Sequence, residues 1–165
     1  MTSVLKVTEI QDPTNSNSAL TINSSGYVIL SNPVSFLAYG MSSNTSSGAL
    51  VFTNVQHNLG NCYSTSTGKF TAPVKGLYNF GGNILRNTGD GNFYFRVDDS
   101  GDYLTSNSGG DEASQYLHAS TYTHASPHIN LQLNASQTVS LYLGSTATAW
   151  SNYNYFTGHL ITAVA

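Results

Sequence analysis

The chain has 165 residues, of which only 8% are Asp, Glu, Lys or Arg, against 39% hydrophobic residues and a formal charge of −3. Five Lys and Arg leave no basic footprint for DNA or RNA, which excludes nucleic acid as a partner. The apolar share excludes a charge-solvated disordered chain, and polarity supplied by Ser, Thr, Asn and Gly fits an all-β protein with many turns.

The N-terminal stretch "MTSVLKVTEI" has no long apolar run, so neither a secretory leader nor membrane insertion is expected from it. A short strand is predicted at residues 4–10, then a polar loop, "QDPTNSNS", then a hairpin, "ALTINSSGYVIL". In that hairpin Leu20 and Ile22 face one way, residues 23–26 turn, and residues 27–30 return. "SNP" ending at Pro33 punctuates the chain and divides an N-terminal attachment segment, 1–33, from a main domain, 34–165. A piece as small as the first is marginal alone and must pack on something else.

Beyond Pro33 turn signals recur about every ten residues. Strands are predicted at 35–40, 49–54, 69–72, 76–85, 92–97, 114–123, 128–133, 139–144 and 155–164. In "YSTSTGKFTAPVKGLYNF", residues 63–80, Thr67-Gly68 reads as a turn. Phe70, Ala72 and Val74 alternate with polar residues up to Pro73 and Gly76, which end one strand and begin another. "NFYFRV" puts Phe93, Phe95 and Val97 on one face. "INLQLNASQTVSLYL" reads as a hairpin, with Ile129, Leu131 and Leu133 against Val139, Leu141 and Leu143. No helical stripe exceeds two turns, and regular short strands argue for a sandwich or jelly roll. Cys62 is the only cysteine, which excludes an intrachain disulfide and marks it as a packed small residue.

The stretch at 63–80 resembles the signature of the complement C1q-like globular head: Tyr, then Thr-Gly-Lys-Phe, then Ala-Pro, then Gly-x-Tyr-x-Phe. "YNYFTGHLI" is similar to that family's closing Phe-x-Gly-x-Leu strand through Phe156, Gly158 and Leu160. The resemblance spans about four-fifths of the chain. It implies a ten-stranded jelly-roll sandwich of the tumour-necrosis-factor type that assembles as a homotrimer. Two departures stand out. Residues 134–137 fill a turn where the family has Gly-Asp, and no collagen repeat precedes the head. The flank "ALTINSSGYVIL" instead resembles strand-turn elements of bacteriophage fibre shafts, which points to a virion-surface protein rather than an extracellular cellular one.

Chemistry-bearing residues are few in kind. His124 and His128 are four apart but fall on strand and loop around Pro127, so helical zinc spacing does not apply. No Gly-x-Ser-x-Gly elbow exists, and no enzyme activity is expected. Six of the eight acidic residues, Asp90, Asp98, Asp99, Asp102, Asp111 and Glu112, fall between positions 90 and 112. Their plain reading is solvated hairpin turns. Calcium at Asp98, Asp102 and Asp111 is the alternative, since some members of the resembled family hold calcium, and no other cofactor is indicated. Trp150, Tyr153 and Tyr155 lie in a polar loop, "GSTATAWSNYNYF", where rings can stack on a sugar while amides bond its hydroxyls. The alternative is that these rings plug the end of the sandwich or a threefold seam.

Candidate ligand-binding residues are therefore Trp150, Tyr153, Tyr155, Asp98, Asp99 and Asp102. The leading function is a non-enzymatic trimeric virion protein (fibre tip, head fibre or capsid decoration). Its expected partners are further copies of itself, another virion or stalk protein through 1–33, and a host-surface glycan or receptor. A cellular C1q-like lectin or pattern-recognition module is the alternative, and a purely structural coat subunit is the third.

Overall fold

The computed structural model describes residues 6–14, 16–99, 115–117 and 122–164. Packing divides the chain into two compact units, Met1–Pro33 and Val34–Ala165. The first is a three-stranded antiparallel sheet of β1 (Glu9–Gln11), β2 (Ser18–Ile22) and β3 (Val28–Leu30), with β2 central. Register sets Ile10, Leu20 and Leu30 side by side, with Ile22 opposite Val28. Asn23 Oδ1 accepts from the amides of Ser25 and Tyr27, and Gly26 takes a positive φ, which closes the predicted hairpin turn. Of the strand predicted at 4–10, only Glu9 and Ile10 fall within β1, and residues 1–5 lie outside the described residues.

The second unit contains β4 (Ser35–Tyr39), β5 (Thr45–Ala49), β6 (Asn54–Leu59), β7 (Tyr63–Ser64), β8 (Lys69–Thr71) and β9 (Gly76–Thr88). It continues with β10 (Gly91–Val97), β11 (Gln115–Leu117), β12 (His124–Ala125), β13 (His128–Leu133), β14 (Thr138–Ala149) and β15 (Tyr155–Ala163). No helix occurs among the described residues. One sheet runs β6-β4-β15-β9-β13; the other runs β11-β10-β14-β8-β7, with β5 beside the far half of β14. The last turn of β9 leaves the first sheet and pairs with β14 through Arg86 and Thr88, joining the two layers.

Between the sheets lies an aromatic core. Phe36, Phe52, Phe70, Tyr78, Phe80, Phe93 and Phe156 are all fully buried. Phe36 stands edge-on to Phe156 at 4.8 Å and stacks on Tyr63 at 4.9 Å. Two motif glycines serve this packing. A Cβ on Gly158 would meet Phe80 Cδ1 at 2.5 Å, and one on Gly68, at φ 72°, would meet the Leu50 carbonyl oxygen at 2.4 Å.

Several expectations are corrected. The hairpin predicted across residues 129–143 does not form: β13 pairs with β9, and β14 pairs with β10, β8, β5 and β9. Residues 134–137 cross instead from one sheet to the other, with the Ser136 amide donating to Ala72. Residues 50–53 are not a strand, although Leu50 and Phe52 are buried as the alternation required. They too pass between layers, and the Tyr63 hydroxyl donates to the Phe52 carbonyl and accepts from the Phe52 amide. That service meets the buried backbone groups a ladder would have met. Burial also pushes the Tyr63 phenol up to about 12. Val74 is exposed rather than inward, because β8 ends at Thr71. Tyr39 is 46% exposed in this chain, and Leu160 of the closing strand is only partly buried. The supposed loop 145–155 is strand as far as Ala149, with Ala147 and Ala149 fully buried. The period-two pattern did not mark β5 and β7, which are short and rich in Ser, Thr and Asn or only two residues long, and β6 forms just beyond the strand predicted at 49–54. Of the strand predicted at 114–123, Gln115–Leu117 is observed, and 118–121 lie outside the described residues.

Candidate functional site

A groove of about 580 Å³ opens at the end of the first sheet remote from Val34, where Tyr39, Tyr155 and Asn83 stand side by side across β4, β15 and β9. The size falls in the range of small-molecule sites. Leu37, Gly40, His124, Asn152, Tyr153 and Asn154 complete the wall, and no Asp, Glu, Lys or Arg lines it. Asn83 organises it. Its Nδ2 donates to the Tyr153 carbonyl at 2.7 Å, and its Oδ1 accepts from Ser126 Oγ at 2.9 Å. The same Oδ1 lies 3.2 Å from His124 Nδ1. Because an amide oxygen only accepts, the proton of that bond sits on Nδ1, and His124 Nε2 is left as an acceptor in the neutral ring.

Tyr153 holds φ 64°, a left-handed conformation that disfavours a side chain by roughly 1–2 kcal/mol. Its neighbour Asn154, itself buried, accepts from the Leu85 amide at 2.7 Å and donates to the Trp150 carbonyl. This pins the short turn between β14 and β15 and leaves the Tyr153 ring 77% exposed. The arrangement offers aromatic faces, amides and one imidazole acceptor, without formal charge. It can stack on an apolar ring face and bond hydroxyl groups.

The sequence candidates separate in space. Tyr153 and Tyr155 line the groove, but Trp150 does not. Trp150 is half-buried, and its Nε1 is buried without a partner among the described residues. Asp98 and Asp99 follow β10 at the opposite end, since Asp98 holds Thr138 at the start of β14 and Trp150 follows its end. Twelve residues of strand, roughly 35–40 Å, lie between. The Asp98 carboxylate accepts from the Thr138 amide at 2.7 Å and Gln137 Nε2 at 2.8 Å. The Thr138 amide, first among several donors, holds its pKa below the usual carboxylate value. Asp99 pairs with Lys69. Asp102 and Asp111 lie outside the described residues, among which no three His, Cys, Asp or Glu side chains gather as a metal site. Leu37, Tyr39, Asn83 and His124 were not anticipated as site residues. They come from three separate strands, and nothing local in the sequence joins them.

The C1q domain family matches residues 35–161. The chain belongs to the C1q family. The globular domain of zebrafish complement 1qA has a similar structure at TM-score 0.55 and 17% identity, covering 81% of this chain and 99% of that one. Murine APRIL is similar at TM-score 0.57 and 9% identity, covering 78% of this chain and 99% of the other. Eiger TNF from S. frugiperda is similar at 0.54 and 9%, covering 81% and 96%. These likenesses establish the C1q/tumour-necrosis-factor jelly roll. No curated protein sequence matches the chain. In this C1q domain the signature residues serve packing: Tyr63, Gly68, Phe70, Tyr78 and Phe80 build the core, and none lines the groove. Family membership therefore assigns the fold, and the groove must be read on its own chemistry.

Proposed function

We propose that this chain is a non-enzymatic, homotrimeric binding head of a virion (a fibre tip, head fibre or capsid decoration) that holds a host-surface glycan in the groove of Tyr39, Asn83, His124, Tyr153 and Tyr155. The uncharged, tyrosine-walled groove carries this reading. A neutral sugar ring offers an apolar face to Tyr153 and hydroxyls to the amides and to His124 Nε2. Self-association is supported by the first sheet, whose outward positions from β6 to β13 hold no Lys, Arg, Asp or Glu, with Leu59, away from the groove, nearly half exposed. Three copies of one weak site would gain avidity on a repeating polymer. Residues 1–33 are assigned to another virion or stalk protein, because Ile22, Val28 and Leu30 leave much of that small sheet's apolar surface exposed. A cellular C1q-like lectin is the second reading, which the family match and the complement 1qA likeness favour.

The test is a glycan array with the wild-type chain and Tyr153→Ala. Glycan binding by the wild type, lost in the variant at an unchanged melting temperature, is expected because the ring is exposed. A wild type that binds no glycan, or a variant that binds as well, overturns the groove assignment. Light scattering is expected to give three times the 17.6 kDa chain mass, and a stable monomer overturns the trimer. Genes for virion proteins beside this one are expected; host-defence genes in their place favour the cellular reading.

A further inference from the structure

We propose that the outward face of the second sheet carries a separate oxyanion seat, formed where β8, β14 and β10 bring Lys69, Ser140 and Arg96 into one row. Register fixes the row, with Ser140 paired to Lys69 on one side and to Arg96 on the other. Lys69 pairs with Asp99 and Arg86 with Asp90, but Arg96 has no carboxylate among the described residues. Its guanidinium lies instead 4.0 Å from the Tyr142 ring centre and 5.9 Å from that of Tyr94. Those two rings are themselves 5.3 Å apart, so the guanidinium plane is held by stacking, and its hydrogen-bonding fork has no partner among the described residues.

Within the guanidinium Nε lacks an acceptor among the described residues, and so does one further donor beside it, Ser140 Oγ. Both atoms are buried. Ser140 is only 2% exposed, and burying such a group unpartnered is unfavourable. An oxyanion on this row would give the guanidinium fork, Nε included, and Ser140 Oγ an acceptor. A planar carboxylate or a sulfate ester matches the guanidinium edge-on. Asp98 and Asp99 lie at the next positions along the sheet, but their carboxylates are already held by Thr138, Gln137 and Lys69. The seat is near the start of β14, and the groove lies beyond that strand's end. The proposal therefore stands whether or not the groove binds sugar. The ligand class is an acidic polymer or saccharide bearing carboxylate or sulfate.

The chain has only two arginines, so a ¹⁵N-labelled full-length sample gives two Nε–H signals, and Arg96→Lys assigns them. Sodium glucuronate, sodium sulfate and glucose are titrated at constant ionic strength, held with sodium chloride. The expected result is a saturable shift of the Arg96 signal with glucuronate or sulfate and none with glucose. Arg86, held by Gly89 and Asp90, stays still. Stronger binding of glucuronate assigns a carboxylate ligand, and stronger binding of sulfate a sulfated one. Ser140→Ala, which keeps the reporter, is expected to weaken binding about tenfold. A shift that fails to saturate, or that chloride alone reproduces, overturns the seat. Unchanged affinity in Ser140→Ala overturns the role of the row.

Discussion

Replacing Phe156 by alanine removes the ring that ties the core together. Phe156 is fully buried and stands edge-on to Phe36 at 4.8 Å and to Tyr63 at 6.0 Å. It also meets Phe80 at 6.1 Å, Phe95 at 6.0 Å and Phe52 at 6.4 Å, so five neighbours from both sheets would face the void. Truncation of a buried phenylalanine costs about 3–5 kcal/mol, and rigid aromatic neighbours that cannot collapse place this site at the upper end. At about 3 °C per kcal/mol for a unit of this size, the melting temperature should fall by roughly 9–15 °C. Urea unfolding followed by near-ultraviolet circular dichroism measures it, with the midpoint lowered and the slope unchanged. Phe156→Leu keeps most of the apolar volume and should lose only about 1–2 kcal/mol. A loss below about 1 kcal/mol in the alanine variant would refute the view that one packed aromatic cluster holds both sheets.

Gly158→Ala should destabilise by about 1–3 kcal/mol, because its methyl would meet Phe80 at 2.5 Å and Phe36 at 2.9 Å; an unchanged urea midpoint would mean the rings can give way. Asp98 has a depressed folded pKa, so its contribution is present above the unfolded carboxylate value and is lost as pH falls through the folded one. Asp98→Asn should therefore be less stable than wild type at pH 7, with the gap closing below about pH 4; a gap independent of pH contradicts this. Burial pushes the Cys62 thiol up to about 11, so it should resist a thiol reagent at pH 8 until denaturant is added, and prompt native-state labelling would sink the assignment.

Alternation along the chain determined which side chains go inside. Phe70, Tyr78, Phe80, Phe93, Phe95 and Leu131 are buried as their period-two spacing demanded, and Leu50 and Phe52 are buried even where no strand forms. That signal is local, because a side chain points to the core whatever its backbone pairs with. Pairing is not local. Strands β13 and β14 present the same pattern whether they are neighbours in one sheet or face each other across the core, and only the tertiary structure decided for two sheets. The motif around residues 63–80 was legible because it fixes packing contacts: Gly68 lies against Leu50 and Tyr63 bonds Phe52. Tyr153 and Tyr155 were legible as aromatic residues in a polar context, but Asn83 and His124 were not. They meet at the groove only because β12 pairs with β9 beside Asn83, as the Lys69–Ser140–Arg96 row exists only through the register of β8, β14 and β10.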